Sequence, residues 1–402
     1  MRDILVLAYV VVALSTLSFV PSRLGPEIWA THWAIWIKQF QEHGLVAGYY
    51  AVRDVYPPMT FSVFALISLL PWPQYATFKV IQSILLFATG VSVYAWRRNL
   101  GIATATMLGL AANSMIFEST DIFFTPFLIG ALIALADRRW IMFSTLYSIA
   151  LLFKWQPIIL TPFFLIWIWP ELRRPRVWAE LLVAALVVLG SEIGFFGSEV
   201  ILGILRAPGA RTFFSGNAFN LNWVVGWVNA LASGEASVPD LGPTSPMLTI
   251  KQYLFHVPGW LWTTSQIVSL TSFAALIVGF GFTKRSPRTL LLFCTTATVS
   301  YAMLHTEVHE NHLHIAVISS ALLAAAAPSY LPVFIFWATA MTFNLFAYLS
   351  SWPRVIGGID VTLLVAAMNV SVFVALWIHT MRQPRWPFRR AVPEAETESA
   401  SA

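Results

Sequence analysis

An all-α, polytopic membrane protein is the fold class this sequence predicts, and three observations predict it. Hydrophobic residues make up 58% of the 402 positions and charged residues only 11%, against roughly a quarter charged in a soluble domain. Apolar runs long enough to cross a bilayer recur from one end of the chain to the other, and helices satisfy the backbone polar groups of such runs in lipid. Between the runs, basic clusters alternate with islands of other polar residues. The clusters are Arg97-Arg98, Arg138-Arg139, Arg173 to Arg176, Lys284 to Arg288 and Arg382 to Arg390. The islands are Glu27 to Pro58, Glu118 to Asp121, Lys154 to Pro157, Ser215 to Trp223 and His305 to His312.

The runs predict about twelve transmembrane helices, near residues 4–20, 76–96, 102–117, 122–136, 140–153, 156–170, 177–198, 260–283, 288–304, 313–327, 330–350 and 359–381. The first run, Leu5 to Val20, lacks a small-residue cleavage site and reads as a helix, not a signal peptide. Tyr56 to Pro71 is short and bracketed by Pro57-Pro58 and Pro71-Trp72-Pro73, which suits a juxtamembrane helix at the interface. With that segment left outside the count, every basic cluster is cytoplasmic by the positive-inside rule and every polar island faces outward.

Residues 1–381 then form a single transmembrane domain. Its first external loop, 21–75, is large and holds juxtamembrane helices. A second, 199–259, is punctuated by Pro, Gly and Ser at 236–246. Residues 382–402 are basic, then acidic and small, and predict a disordered cytoplasmic tail. Both termini are expected in the cytoplasm. The net charge of +5 resides in loops flanking the spans and gives no reason to expect nucleic acid as a partner. The single cysteine, Cys294, excludes an intrachain disulfide.

The islands hold the residues able to do chemistry. Glu27, Glu42 and Asp54 are the acids of the first loop, and Asp54 precedes Tyr56-Pro57-Pro58, whose prolines restrict the backbone and aim adjacent side chains. Asp121 lies between two spans beside Glu118. A carboxylate at membrane depth is costly and tends to mark function, and it can serve as a general base if its surroundings bring its pKa toward the working pH. The plain alternative for each is a solvated loop acid. Lys154, in Phe153-Lys154-Trp155-Gln156-Pro157, is the sole charge between Trp140 and Glu171. It needs an anionic partner, and a phosphate would serve; snorkelling to the interface is the other reading.

Asn217, Asn220 and Asn222 are interleaved with Phe219 and Trp223. Carbohydrate recognition needs such planar hydrogen-bonding groups and flat apolar faces, although an ordinary interfacial loop shares that composition. His305, His309, Glu310 and His312 form the densest island. His305 and His309 would share one face of a helix. The His-Glu-x-x-His zinc pattern is absent, because His309-Glu310 meets His312 one residue early. A phosphate or sugar contact is therefore expected in preference to a divalent metal, and no cofactor is called for.

Taken together, the islands resemble the GT-C superfamily of membrane glycosyltransferases. Among these they look most like bacterial mannosyltransferases related to the glycosylphosphatidylinositol enzymes, and next like the glucosyltransferases that use dolichyl-phosphate-glucose. The matching pieces are Trp33 to Gly44 followed by Tyr49-Tyr50, Tyr56-Pro57-Pro58, Asp121 before a span, Phe153-Lys154 with Gln156, Asn217 to Asn220, and Val308-His309-Glu310. The resemblance implies a hexose, mannose in preference to glucose, moved from a polyprenyl-phosphate carrier to a glycolipid or glycan acceptor outside the cytoplasm. It implies inversion by single displacement in a bacterial plasma membrane.

Glu27, Asp54 and Asp121 are then the candidate catalytic acids. Lys154, His309 and Glu310 are candidates for the donor phosphate, and Tyr56, Gln156, Asn217, Asn220, His305 and His312 for substrate contact. The sequence departs from the family pattern at Pro26, where the first-loop aspartate would fall, and at Val55, inserted after Asp54. A transporter, a zinc-dependent membrane hydrolase and a non-catalytic relative that binds lipid-linked sugar are the competing expectations.

Overall fold

The computed structural model describes residues 1–18, 29–52, 56–198, 200–202, 214–216, 218–233, 258–309, 311–349, 355–356 and 359–383. Glu27, Asp54, Asn217, Glu310, most of the second loop and the tail lie outside these residues. Helices dominate: α1 Arg2–Ser18, α2 Ala34–Val52, α3 Pro58–Leu69, α4 Gln74–Arg97, α5 Leu100–Ala111, α6 Asp121–Ala136, α7 Trp140–Phe153, α8 Thr161–Ile168, α9 Pro175–Phe196, α10 Leu221–Ala232, α11 Gly259–Gly281, α12 Pro287–Leu304, α13 His314–Ala326, α14 Leu331–Leu349 and α15 Val361–Met381. A short antiparallel pairing joins Val355–Ile356 to Ile359–Asp360 before α15.

Each of the twelve stretches read as spans holds a helix, and Tyr56 to Pro71 holds α3. Among the described residues five helices are long and apolar enough to cross a bilayer: α4, α9, α11, α15 and the Pro328–Ala347 stretch within and just before α14. Seven shorter apolar helices accompany them. The chain is a helical, membrane-embedded protein.

Local chemistry sets the helix ends. The Asn99 side chain accepts from the Ile102 amide to start α5. Ser286 accepts from Thr289 ahead of Pro287, the first residue of α12, where the missing proline N–H is not needed. Gly44 breaks the run of α2 with φ 75 and ψ −176, a conformation open to a residue without Cβ.

Burial sorts the helices into inner and outer ones. Every residue of α13 except Ala326 is buried, and α6 and α12 are nearly as enclosed. By contrast α9 and α11 bury only 11% of their apolar stretches. Leu182, Val183, Leu186 and Val187 of α9 are among the exposed side chains. An apolar face of that size suits lipid, not water.

The bundle has two chemically distinct ends. Basic residues collect at one: Arg138 and Arg174 pair with Glu171 at 2.7 and 3.0 Å, and Arg288 donates to Tyr330 Oη, which in turn bonds His379. Helix α7 leads from this end to Lys154 at the other, about 20 Å away for its 14 residues.

Candidate functional site

Asp121 is the centre of the second end. It opens α6 and is fully buried. Lys154, one residue past the end of α7, donates to its Oδ1. Asn113 and Asn311 donate to Oδ2 at 3.0 and 3.1 Å. Three segments far apart in the chain thus deliver one ammonium and two amides to a single carboxylate, as an ion buried at membrane depth requires.

Beneath this pair the network continues through Asn113, whose Oδ1 is buried without a hydrogen-bond partner. Asn113 Nδ2 has two hydrogens; with one on Asp121, the other faces His314 Nδ1 at 2.6 Å. That leaves the His314 proton on Nε2, which meets Thr125 Oγ1 at 2.7 Å, and Thr125 donates onward to the Asp121 carbonyl. The hydrogen-bond pattern, not an observed hydrogen, assigns this tautomer.

Lys154 is only 12% exposed. Its Nζ lies 5.9 Å from the centre of the Tyr56 ring. Tyr56 packs edge-on against Trp33 and Trp36, so the Trp33 to Gly44 stretch of the first loop reaches the site. Gln156 follows Lys154 by two residues, and both of its buried amide atoms lack a hydrogen-bond partner.

The histidine segment closes the other side. The expected shared helix face of His305 and His309 does not form, because α12 ends at Leu304 and Glu307 takes a left-handed φ of 63. Instead His305 and His312 stack on Tyr301, at 5.2 and 5.7 Å between ring centres. The His309 amide donates to His312 Nδ1 at 3.3 Å. Burial, then the neighbouring His309 and Lys154, hold the His312 imidazole well below the usual histidine range, against the pull of Asp121. Burial lowers His305 as well. Both rings are therefore neutral near pH 7. Gly216 pairs with this segment, its amide donating to the Val308 carbonyl at 2.7 Å.

A second ion pair lies one short loop away. Glu118 Oε1 meets Lys79 Nζ at 3.1 Å and accepts from Tyr75 at 2.6 Å, and Lys79 also donates to the Met115 carbonyl. Burial pushes the Glu118 carboxyl up, while Lys79 and Tyr75 pull it back down. Glu118 sits at φ 57, a strained choice for a residue with a Cβ. Trp33 Nε1 bonds its carbonyl at 2.9 Å and fixes that geometry.

Of the residues singled out in the sequence, Asp121, Lys154, Tyr56, Gln156, His305, His309 and His312 fall in this region. Asn220 is engaged within the fold instead. Its Oδ1 caps α10 through the Trp223 amide and accepts from Ser215, and its Nδ2 donates to the Ala302 carbonyl. Fully buried, it ties α10 to α12. Glu27, Asp54, Asn217 and Glu310 are outside the described residues. Asn113, His314 and Lys79 were not singled out in the sequence, and Asn311 entered only as a member of the His305 to His312 island. Lys79 carried a usable signal, a charge inside an expected span.

Among the described residues no three His, Cys, Asp or Glu side chains gather as a metal site. No protein-family model matches the chain, and no match was found among curated proteins. Fold and site together define a helical membrane protein with a buried, charged and aromatic cluster at one end.

Proposed function

We propose that this chain is an integral-membrane glycosyltransferase of about twelve crossings. It moves a hexose, mannose in preference to glucose, from a polyprenyl-phosphate carrier to a glycolipid or glycan acceptor. The cluster faces the non-cytoplasmic side of a bacterial plasma membrane, and both termini are cytoplasmic. The observation that supports this most is the meeting of Asp121, Lys154 and His312, brought from three segments to one carboxylate-centred cluster.

The chemistry follows from charge. In the donor, the anomeric carbon is bonded to an oxygen of a phosphodiester. As that bond breaks, the departing polyprenyl phosphate gains a negative charge, which the Lys154 ammonium stabilises. A hydroxyl of the acceptor attacks from the opposite face, so the anomeric configuration inverts. Its proton goes to a carboxylate.

Among the described acids, Asp121 is the one we assign that role. In the resting protein, Lys154, Asn113 and Asn311 occupy it. The donor phosphate competes for Lys154, and a lone pair of Asp121 becomes free as the donor binds. Glu27 and Asp54 of the first loop are the other candidate bases. The neutral His312 and its neighbour His309 offer hydrogen bonds to phosphate or sugar, Gln156 offers an unsatisfied amide, and Tyr56 offers a flat face.

The test is transfer by the purified protein from polyprenyl-phosphate-mannose and polyprenyl-phosphate-glucose to a panel of glycolipid acceptors. Transfer from one donor is expected, reduced about 10²–10³-fold in Lys154→Ala, the size seen for removing one group that stabilises developing negative charge. Full turnover in that variant would remove Lys154 from the mechanism. Absence of transfer with every pair in the unaltered protein, under conditions where it binds donor, would overturn the assignment.

A further inference from the structure

The end of the bundle opposite the charged cluster carries a cleft of about 540 Å³ between the start of α7, the end of α8 and the α11–α12 connection. Arg138, Lys284 and Arg285 supply its positive charge, Trp140 and Trp167 its flat walls, and Glu171 its one acid. That acid is already engaged twice, by Arg138 at 2.7 Å and Arg174 at 3.0 Å. Among the described residues, neither Lys284 nor Arg285 has a carboxylate within ion-pair reach. The Arg285 guanidinium is partly buried beside Arg138, and burial followed by that like charge lowers its pKa. Like charges held together in a partly dry cleft favour an anion between them.

Three further observations say what kind of anion. Trp169, Trp178 and Phe282 are exposed around this end, the placement of aromatic side chains at the level of lipid headgroups. From the cleft, α8 and α11 run side by side, closed by Phe163 against Phe273 and Phe280. Leu165 of α8, Leu270 and Val278 of α11, and Leu182 and Leu186 of α9 are left exposed. A charged cleft flanked by exposed aromatic rings therefore belongs to the same helices that carry exposed apolar side chains.

We propose that the cleft is a binding site for an anionic glycerophospholipid, its phosphate seated between Arg285, Lys284 and Arg138 and its acyl chains along α8, α9 and α11. The phosphate accepts charge-assisted hydrogen bonds from the three basic groups, and the tryptophan rings pack against the glycerol and the first methylenes. Basic recesses between helix ends bind lipid headgroups in this manner. The lipid would brace α7 and α8 against α11.

The experiment titrates the detergent-purified full chain with dioleoylphosphatidylglycerol, dioleoylphosphatidylcholine or inorganic phosphate. Bound lipid is read by native mass spectrometry and the unfolding midpoint by fluorimetry. The anionic lipid is expected to bind saturably and raise the midpoint, and the zwitterionic lipid to do neither. Lys284→Gln/Arg285→Gln should bind the anionic lipid roughly 30-fold more weakly, and Lys284→Gln alone roughly fivefold, from the usual worth of a basic residue near an anionic surface. Arg173→Gln/Arg382→Gln removes the same charge from exposed positions outside the cleft and should bind as the unaltered chain does. Equal binding of the two lipids, or equal weakening in the two double variants, would overturn the proposal. So would a midpoint rise that inorganic phosphate reproduces in full and the lipid does not exceed, which would assign the cleft to a soluble phosphate.

Discussion

Lys154 and Asp121 stand 33 residues apart in the chain and form an ion pair in which the carboxylate is fully buried and the ammonium nearly so. Removing either partner strands the other charge. Lys154→Met and Asp121→Asn are each expected to cost about 3–5 kcal/mol. The double variant should cost less than the sum of the two, because no lone charge remains. Denaturant unfolding of the four proteins measures the coupling, and additive costs would show that the two groups do not stabilise one another. Turnover of Lys154→Ala is accordingly compared at a temperature where that variant is folded.

His312 makes stability depend on acid. Its folded pKa lies well below the ordinary histidine value, so below about pH 6.5 the unfolded chain takes up a proton that the folded protein refuses. Stability contributed by the neutral ring is present above that pH and is lost as pH falls. His305 acts in the same direction. The unfolding midpoint should drop between pH 7.5 and 5.5, and His312→Gln should shrink the drop. An unchanged pH dependence in that variant would place the acid-sensitive group elsewhere.

Asn220→Ala separates structure from recognition. It removes the cap of α10 and leaves the Ala302 carbonyl without its donor. A loss of about 1–2 kcal/mol is expected, with kcat and KM for the donor unchanged. A raised KM at full stability would instead return Asn220 to the sugar site.

Sidedness can be read by chemical labelling. The one native cysteine, Cys294, is buried, so introduced thiols report without background. Thr31→Cys and Arg173→Cys place exposed thiols at the two ends of the bundle. An impermeant maleimide on intact cells should label the first, and should label the second only after permeabilisation. Labelling of both from outside would reject the assigned orientation.

Much of the helical framework was legible in the sequence because apolar runs this long have few other ways to satisfy their backbone. Lys154, Asp121 and His312 stood out because charge and imidazole are costly among such runs. Their meeting was not legible: spacing reports neighbours on one helix, whereas the Asn113–His314 bond spans 201 positions. His314 and Asn113 also sit inside apolar stretches, where a single polar residue gives little sign of its partner. The His305 and His309 spacing misled for a local reason, since the helix it presumed stops at Leu304 and the chain turns at Glu307. Asn220 held a different sign from the one read, an asparagine immediately ahead of an apolar run, which marks a helix start.

The short connection from Glu118 to Asp121 has a consequence for biosynthesis. Its first acid is matched by a lysine made earlier, Lys79, and its second by one made later, Lys154. As the nascent chain leaves the ribosome, Glu118 finds its counter-ion already inserted, while Asp121 must wait until α7 has followed it into the membrane. A chain stopped between residues 137 and 153 would expose an uncompensated carboxylate at the mouth of α6, the kind of defect that membrane quality control removes.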